Sequence, residues 1–210
     1  MYLQFALIWV FSFFLMSSSV LAQDSQDLLE VLSPIHSLQA NFVQVILDAK
    51  GKPLQKSEGK VQLQRPGQFR WDVKRPVPQL IIANNSRLWI YDPDLEQVVI
   101  RPVAKEIGST PAFLLSNVNT AIEKDFIVKK MPASRNWQWF SLSPKTSDSL
   151  FNVIQLGFEN REIKELRMRD NLGHHTVIQF KQVQQNLHLS LALFQFHPPA
   201  HVDVIDETRK

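Results

Sequence analysis

The residues that could carry chemistry include a group of histidines and carboxylates near the C terminus. His197, His201, Asp203 and Asp206 are residue types that bind transition metals. The two histidines are four residues apart, but Pro198-Pro199 between them prevents the helix that would bring such a pair together. We therefore favour an exposed, charged tail over a metal site.

A second candidate is the adjacent pair His174 and His175, which follows the turn-forming sequence Asn171-Leu172-Gly173. Adjacent strand residues point to opposite faces, so the two imidazoles cannot easily bind one metal ion, and a solvated hairpin turn is favoured. The sequence contains no G-x-S-x-G, H-E-x-x-H or glycine-rich phosphate-loop motif. These patterns favour a protein that is not an enzyme.

The composition limits the cofactors and partners to be expected. The 210 residues, of which 44% are hydrophobic, fit one globular domain, and the lack of cysteine excludes a thiol nucleophile, a disulfide and a thiolate metal site. The 23 Lys and Arg are interspersed with 20 Asp and Glu, so the net charge of +3 does not form a polybasic tail. We expect no cofactor, no metal and no nucleic-acid partner.

The first 22 residues have the pattern of a secretory signal. Residues 3–16 are almost entirely apolar, and Val20-Leu21-Ala22 places small residues at the two positions that a signal peptidase reads. The apolar run is too short for a comfortable membrane span, which needs about 20 residues. We predict cleavage after Ala22, so that residues 1–22 are a signal peptide and residues 23–210 form a single domain.

The elements that must position any functional residue are mainly strands. Ser25 is the predicted N-cap of one short amphipathic helix, which carries Leu28, Leu29 and Leu32 on one face and ends before Pro34. Apolar residues then alternate with polar ones, which is typical of half-buried antiparallel strands. The alternating sets are Leu38, Ala40 and Phe42, then Val61 and Leu63, then Phe69, Trp71 and Val73. Further strands are predicted over residues 79–83, 88–91, 97–103, 125–130, 137–142, 151–158, 163–169, 175–182 and 187–196.

The predicted sheet has little to cover it. Thr110-Pro111 is a capping pair that predicts a second short helix over residues 112–115, and two or three such helices cannot cover one face of about ten strands. The aromatic side chains at period-two spacing are therefore either a packed core or the wall of an apolar cavity. The pattern alone favours a packed core, because aromatic stripes are usually core.

Several motifs, taken in order and spacing, resemble one family. They are Ala40-Asn41-Phe42-Val43-Gln44, Arg65-Pro66-Gly67-Gln68-Phe69-Arg70-Trp71, Leu88-Trp89-Ile90-Tyr91-Asp92-Pro93, Gly108-Ser109-Thr110-Pro111 and the ending Phe194-Gln195-Phe196-His197-Pro198-Pro199 with Val202-Asp203-Val204. Together they resemble the LolA family of outer-membrane lipoprotein carriers over nearly the whole chain after the signal. The related LolB receptors need a lipidated cysteine, which this chain lacks.

The resemblance implies a mainly β (α+β) fold: a curved, unclosed antiparallel half-barrel of about eleven strands, with short helices as a lid over an apolar cavity. It implies that the aromatic face lines this cavity, and that Arg65 matches the arginine that holds the lid closed when the cavity is empty. An exposed arginine at a strand end is the alternative for Arg65. The residues we expect at the acyl-chain cavity or its mouth are Leu32, Val61, Leu63, Phe69, Trp71, Ile81, Trp89, Phe113, Leu114 and Leu115.

The function implied by the resemblance is transport of acylated lipoproteins through the periplasm by a monomer. The protein would accept them from the inner-membrane LolCDE transporter and deliver them to the outer-membrane receptor LolB. A periplasmic lipid-sensing or regulatory module that uses the same half-barrel is the alternative. A periplasmic hydrolase would need polar groups converging in the cavity, for example His36 with a carboxylate, and no spacing suggests this.

Overall fold

The computed structural model describes residues 17–84, 86–103, 115–116, 122–134, 136–147 and 149–208, with side chains from residue 23 onward. Helix α1 is Ser17–Leu32 and helix α2 is Ile122–Asp125, and short 3-10 helices lie at Pro93–Leu95 and Leu191–Phe194. The strands β1 to β12 are, in chain order, Ser37–Leu47, Pro53–Gln64, Gln68–Arg75, Gln79–Ala83, Arg87–Asp92, Gln97–Pro102, Phe126–Ser134, Trp137–Pro144, Phe151–Glu159, Glu162–Asp170, His175–Gln185 and Asp203–Asp206.

All twelve strands form one curved sheet in the order β12-β6-β5-β4-β3-β2-β1-β11-β10-β9-β8-β7. Neighbouring strands in this sheet are antiparallel, except that β12 pairs in parallel with β6. Within the described residues β12 and β7 are the two edges, so the sheet is unclosed. This confirms the expected mainly β half-barrel. The additional strand, Asp203–Asp206, has only four residues with a carboxylate at each end, which gave no strand pattern.

The two faces of the sheet are defined by alternation along its strands. We call the inner face the one that carries Phe42, Val61 and Trp71, since these residues share one face through the β1–β2 and β2–β3 pairings, and the opposite face the outer face. The main hydrophobic core lies on the inner face, where Leu28 and Leu32 of α1 are buried among residues of the sheet. Burial of each such leucine contributes about 2 kcal/mol, so this contact holds α1 on the sheet.

Helix α1 is longer than predicted. Ser25 is not its N-cap, because the helix already runs from Ser17 and Ser25 is buried inside it. The sequence before Ser25 contains no proline or glycine to end a helix, whereas the predicted end before Pro34 is confirmed. Asp27 Oδ2 accepts a 2.6 Å bond from Lys130 Nζ, which ties the helix to β7.

The predicted strand over residues 187–196 is wrong. The segment instead crosses the outer face of β3 to β6 and contains the 3-10 helix Leu191–Phe194, where the Ser190 hydroxyl accepts a bond from the Ala192 amide. Both neighbours of β11 in the sheet are already taken by β1 and β10, so the chain after it cannot pair there. The segment buries Leu189 and Phe194, five residues apart, and alternation was therefore a misleading signal.

The C-terminal segment creates a second, smaller core on the outer face. Leu189 and Phe194 are buried there together with Ile82, Val98 and Ile100 of the sheet. The other strands predicted from the sequence are confirmed, although their ends differ; β2 begins at Pro53, eight residues before the predicted alternation at Val61. The predicted helix at Thr110-Pro111 lies outside the described residues, apart from its last residue, Leu115.

Candidate functional site

A pocket of about 340 Å³ lies on the inner face, beyond the end of the core. Its wall combines apolar side chains from several strands with polar side chains. The apolar residues are Ile46, Trp71, Val73, Val77, Ile81, Phe151, Met168 and Ile178, and the polar ones are Gln44, Gln55, Ser57, Gln79, Asp92 and Thr176. The volume lies in the range of binding pockets for small ligands, and the wall is about equally apolar and polar.

Two of the residues expected at a cavity, Trp71 and Ile81, line this pocket. They face each other in the β3–β4 pairing, so one cross-strand pair forms part of the wall. The Trp71 ring stacks on Phe42 with centroids 3.6 Å apart. This stack closes the pocket toward the core, because Phe42 is 1% exposed.

Five further expected residues are buried in the core next to the pocket and do not line it. They are Leu32, Val61, Leu63, Phe69 and Leu115, each with at most 3% of its surface exposed. In the structure these side chains are a packed core, which is the alternative that the pattern alone favoured.

The other expected residues lie elsewhere. Trp89 pairs with Ile82 and Ile100, which sets its side chain on the outer face, away from the pocket. Trp89 was assigned to the wrong face, since a half-buried tryptophan in a strand gives no sign of which core it covers. Phe113 and Leu114 lie outside the described residues.

Arg65 joins two separate parts of the chain at the end of β2. Its Nη1 donates to the Leu32 carbonyl oxygen at 2.5 Å, and its Nε donates to the Leu115 carbonyl oxygen at 3.0 Å. Leu32 is the last residue of α1, where carbonyl groups lack partners within the helix and a cation is favourable. The Gly67 amide donates to the Ser116 carbonyl oxygen at 3.0 Å and strengthens the second contact.

The Arg65 side chain is half-buried, and both acceptors are neutral carbonyl groups. Burial lowers the pKa of its guanidinium to about 10, so the group remains charged near neutral pH. A guanidinium offers five donors in a planar fork, which allows one side chain to bind two carbonyl groups on different segments. Arg65 is therefore not the free surface arginine considered as its alternative.

The sequence reasoning missed the polar side of the pocket. Gln55 and Ser57 continue the same inner-face alternation of β2 that leads to Val61 and Leu63. The same alternation, extended from Val61 past Gly59, reaches Ser57 and Gln55, four and six residues before Val61. Apolar alternation does not mark them, because both side chains are polar.

Neither a metal site nor a membrane helix is found in the described part of the chain. Within those ranges no three His, Asp or Glu side chains are close enough together to hold a metal ion. No helix among the same residues is long and apolar enough to cross a membrane. His174 Nδ1 and Asp170 Oδ2 are 2.8 Å apart within the β10–β11 hairpin, which fits the predicted turn.

Comparison with known proteins identifies the family. The family model described as "Outer membrane lipoprotein carrier protein LolA" matches residues 33–197. Proteins named outer-membrane lipoprotein carrier protein from Methylobacillus flagellatus and Nitrosospira multiformis are each 40% identical, covering 90% and 94% of this chain and 92% and 96% of their own. A LolA superfamily crystal structure from Nitrosomonas europaea covers 86% of this chain and 97% of its own, with TM-score 0.51 and 12% identity, and supports the fold alone. Because the family model and these relatives span most of the sequence, the chain belongs to the LolA family.

Proposed function

We propose that this protein carries acylated lipoproteins through the periplasm, from the inner-membrane LolCDE transporter to the outer-membrane receptor LolB. The observation that carries the proposal is the pocket on the inner face, whose wall contains eight apolar side chains, in a chain whose relatives are named outer-membrane lipoprotein carrier proteins. The transfer needs no covalent step and no cofactor. A monomer is sufficient, because one chain supplies both the pocket and the Arg65 contacts.

Elementary energetics explain why such cargo needs a carrier. Moving an acyl chain of roughly 16 carbons into water costs about 12 kcal/mol, at about 0.8 kcal/mol per methylene. A lipoprotein with several chains would therefore not cross the aqueous space alone at a useful rate. An apolar cavity cancels most of this cost, whereas a cavity that fitted the chains too well would not release them.

Release requires a stable closed state of the empty protein that competes with cargo binding. The Arg65 contacts stabilise such a state. They join the end of α1 to the Leu115–Ser116 segment across the core side of the pocket. Their free energy favours the closed, empty protein over the open one, so it opposes cargo binding and assists unloading. Arg65 is thus the gate residue in our proposal.

The proposed acyl-chain site has two layers. Trp71 and Ile81 line the pocket in the closed state. Val61, Leu63 and Phe69, with Leu32 and Leu115 opposite, form a buried layer that we propose becomes cavity wall when the Arg65 contacts break. Phe113 and Leu114 remain predicted members of the second layer from the sequence alone.

Native mass spectrometry of the protein purified from the periplasm of its host tests this function. We expect one lipoprotein bound to one copy of the chain in part of the population, and loss of that species after incubation with acceptor membranes that carry LolB. A protein that is free of lipoprotein under every condition, including when LolB is depleted, would contradict the proposal. Persistent binding of a lipid without any lipoprotein would favour the lipid-sensing alternative instead.

A further inference from the structure

One buried polar atom at the pocket has no hydrogen-bond partner within the described residues. The Ser57 hydroxyl oxygen is buried and has no hydrogen-bond partner among them, although the residue is only 2% exposed and lines the pocket. Buried polar groups are almost always paired, since an unpaired hydroxyl costs about 1–3 kcal/mol. Such a group in a pocket points to a ligand that supplies the missing bond.

Ser57 lies at a chemical boundary on the inner face. Along β2 the exposed Gln55 comes before it, and the bare Gly59 and the fully buried Val61 follow it at two-residue intervals. Gln44 of β1 is directly opposite Ser57 in the register, so its amide lies in the same row. A ligand with an apolar chain and a polar end could place the junction between the two at this row, with its chain on the side of Val61.

The charges around the pocket select a neutral polar group. The lining contains one carboxylate, Asp92, and, among the described residues, no lysine or arginine. A phosphate or a free carboxylate would therefore be desolvated without a counter-charge, which is costly. Asp92 Oδ1 already accepts a bond from Gln79 Nε2 at 2.7 Å, whereas the Ser57 hydroxyl has a donor to offer.

We infer that the Ser57 hydroxyl donates a hydrogen bond to the carbonyl oxygen of a long-chain acyl ester and so fixes how deeply the chain enters. This inference rests on the proposed function, because it assumes that acyl chains occupy the pocket. A carbonyl group is a neutral acceptor, which fits both the free donor and a lining without lysine or arginine in the described part of the chain. The same chemistry occurs in lipoproteins and in phospholipids, and the experiment separates these sources.

The test compares how tightly the unmodified protein and Ser57→Ala bind ester-linked and ether-linked ligands. The first ligand pair is a synthetic diacylated lipopeptide with ester-linked chains and its dialkyl counterpart with ether-linked chains, which lacks the carbonyl. We expect the unmodified protein to bind the ester about 2- to 12-fold more tightly, the range for one neutral hydrogen bond, and Ser57→Ala to bind both equally. Ser141→Ala, the same change on the outer face of β8, should keep the ester preference.

A second arm with ester- and ether-linked phosphatidylcholine identifies the source of the carbonyl. An ester preference that Ser57→Ala abolishes, in either arm, supports the inference, and the arm that shows it names the source. Equal binding of ester and ether by the unmodified protein in both arms overturns the Ser57 site alone. Failure to bind either lipopeptide at all overturns the proposed function as well.

Thermal unfolding supplies an independent readout. Ser57→Ala should keep or raise the Tm, because it removes an unpaired buried hydroxyl and leaves only the methyl group at Cβ. A clear fall in Tm would mean that the hydroxyl is used by the protein itself, and it would overturn the inference.

Discussion

Replacing Arg65 with leucine removes both hydrogen bonds that connect the end of α1 to the Leu115 segment. Hydrogen bonds from a charged donor contribute about 1.5–3 kcal/mol each, and the added apolar burial of leucine returns about 1 kcal/mol. For a half-buried group the closed state should therefore lose about 2–4 kcal/mol, which raises the ratio of open to closed protein about 30- to 900-fold. Cargo should enter Arg65→Leu readily and then be retained.

The Gly67 amide is a direct reporter of this opening, because its acceptor is the Ser116 carbonyl oxygen. Hydrogen exchange at Gly67 should accelerate in empty Arg65→Leu by up to the same factor, with little change in peptides from β8 to β10. The exchange rate at Gly67 in Arg65→Lys should lie between the rates in the unmodified protein and in Arg65→Leu, since one ammonium group cannot reproduce the donor geometry of the guanidinium. Arg70→Leu is the matched control: Arg70 contacts the outer face, and its partner Asp72 keeps a second bond from Lys74.

A two-step assay connects this opening to function. Lipoprotein release from inner-membrane spheroplasts measures loading, and subsequent transfer to LolB measures unloading. We expect Arg65→Leu to load normally and to fail at transfer. The gating argument would be refuted if exchange at Gly67 did not change, or if both steps fell equally.

The remaining predictions concern the pocket, the packing and the helix contact. Ile81→Glu should leave the protein folded, because Ile81 is only half-buried, but it should abolish loading by placing a carboxylate in the pocket wall; a folded variant that loads normally would exclude this wall. Phe69→Glu should unfold the protein, because Phe69 is 0% exposed, and a retained Tm would contradict its place in the core. Gly59→Ala should lower stability by more than about 3 kcal/mol in chemical unfolding, since its Cβ would lie 2.0 Å from a backbone oxygen of β3, whereas Gly51→Ala meets no atom within 4 Å and should cost about 1 kcal/mol through its positive φ; equal effects would argue against the close approach. The hydrogen bond from Lys130 of β7 lowers the pKa of Asp27 from its ordinary value, so the contribution of this pair to stability is present above the ordinary carboxyl pKa and is lost as the pH falls through the lowered pKa. Asp27→Asn should lower the Tm slightly at pH 7 and less as the pH is lowered, and a loss that does not change with pH would refute the pairing.

The sheet could be predicted from the sequence because its strands alternate regularly. The strand with Phe69, Trp71 and Val73 buries one face, and that pattern is visible in the sequence without knowledge of the partner strands. The segment over residues 187–196 alternates equally well, but both sides of the preceding strand, β11, are already paired with β1 and β10, and pairing depends on the whole topology. Alternation thus predicts which residues share a face, but it does not predict that the segment has a partner strand.

The candidate site was only partly predictable for a related reason. Trp71 and Ile81 line the pocket while Phe69, two residues from Trp71, is packed in the core, and the sequence pattern is the same for both. The difference arises from α1 and Leu115, which cover one end of the inner face and leave the pocket at the other. The two acceptors of Arg65 are carbonyl groups of distant residues, so no side-chain motif could have identified them.

The most direct test of the carrier function is release of a newly acylated lipoprotein from spheroplasts when the purified protein is added. We expect the lipoprotein to appear in the supernatant in a one-to-one complex with this chain, and to move into LolB-containing membranes when these are added. Ile81→Glu, folded but blocked at the pocket, should leave the lipoprotein in the inner membrane. Lipoprotein that stays in the spheroplasts with the unmodified protein, in the presence of active LolCDE, would contradict the account.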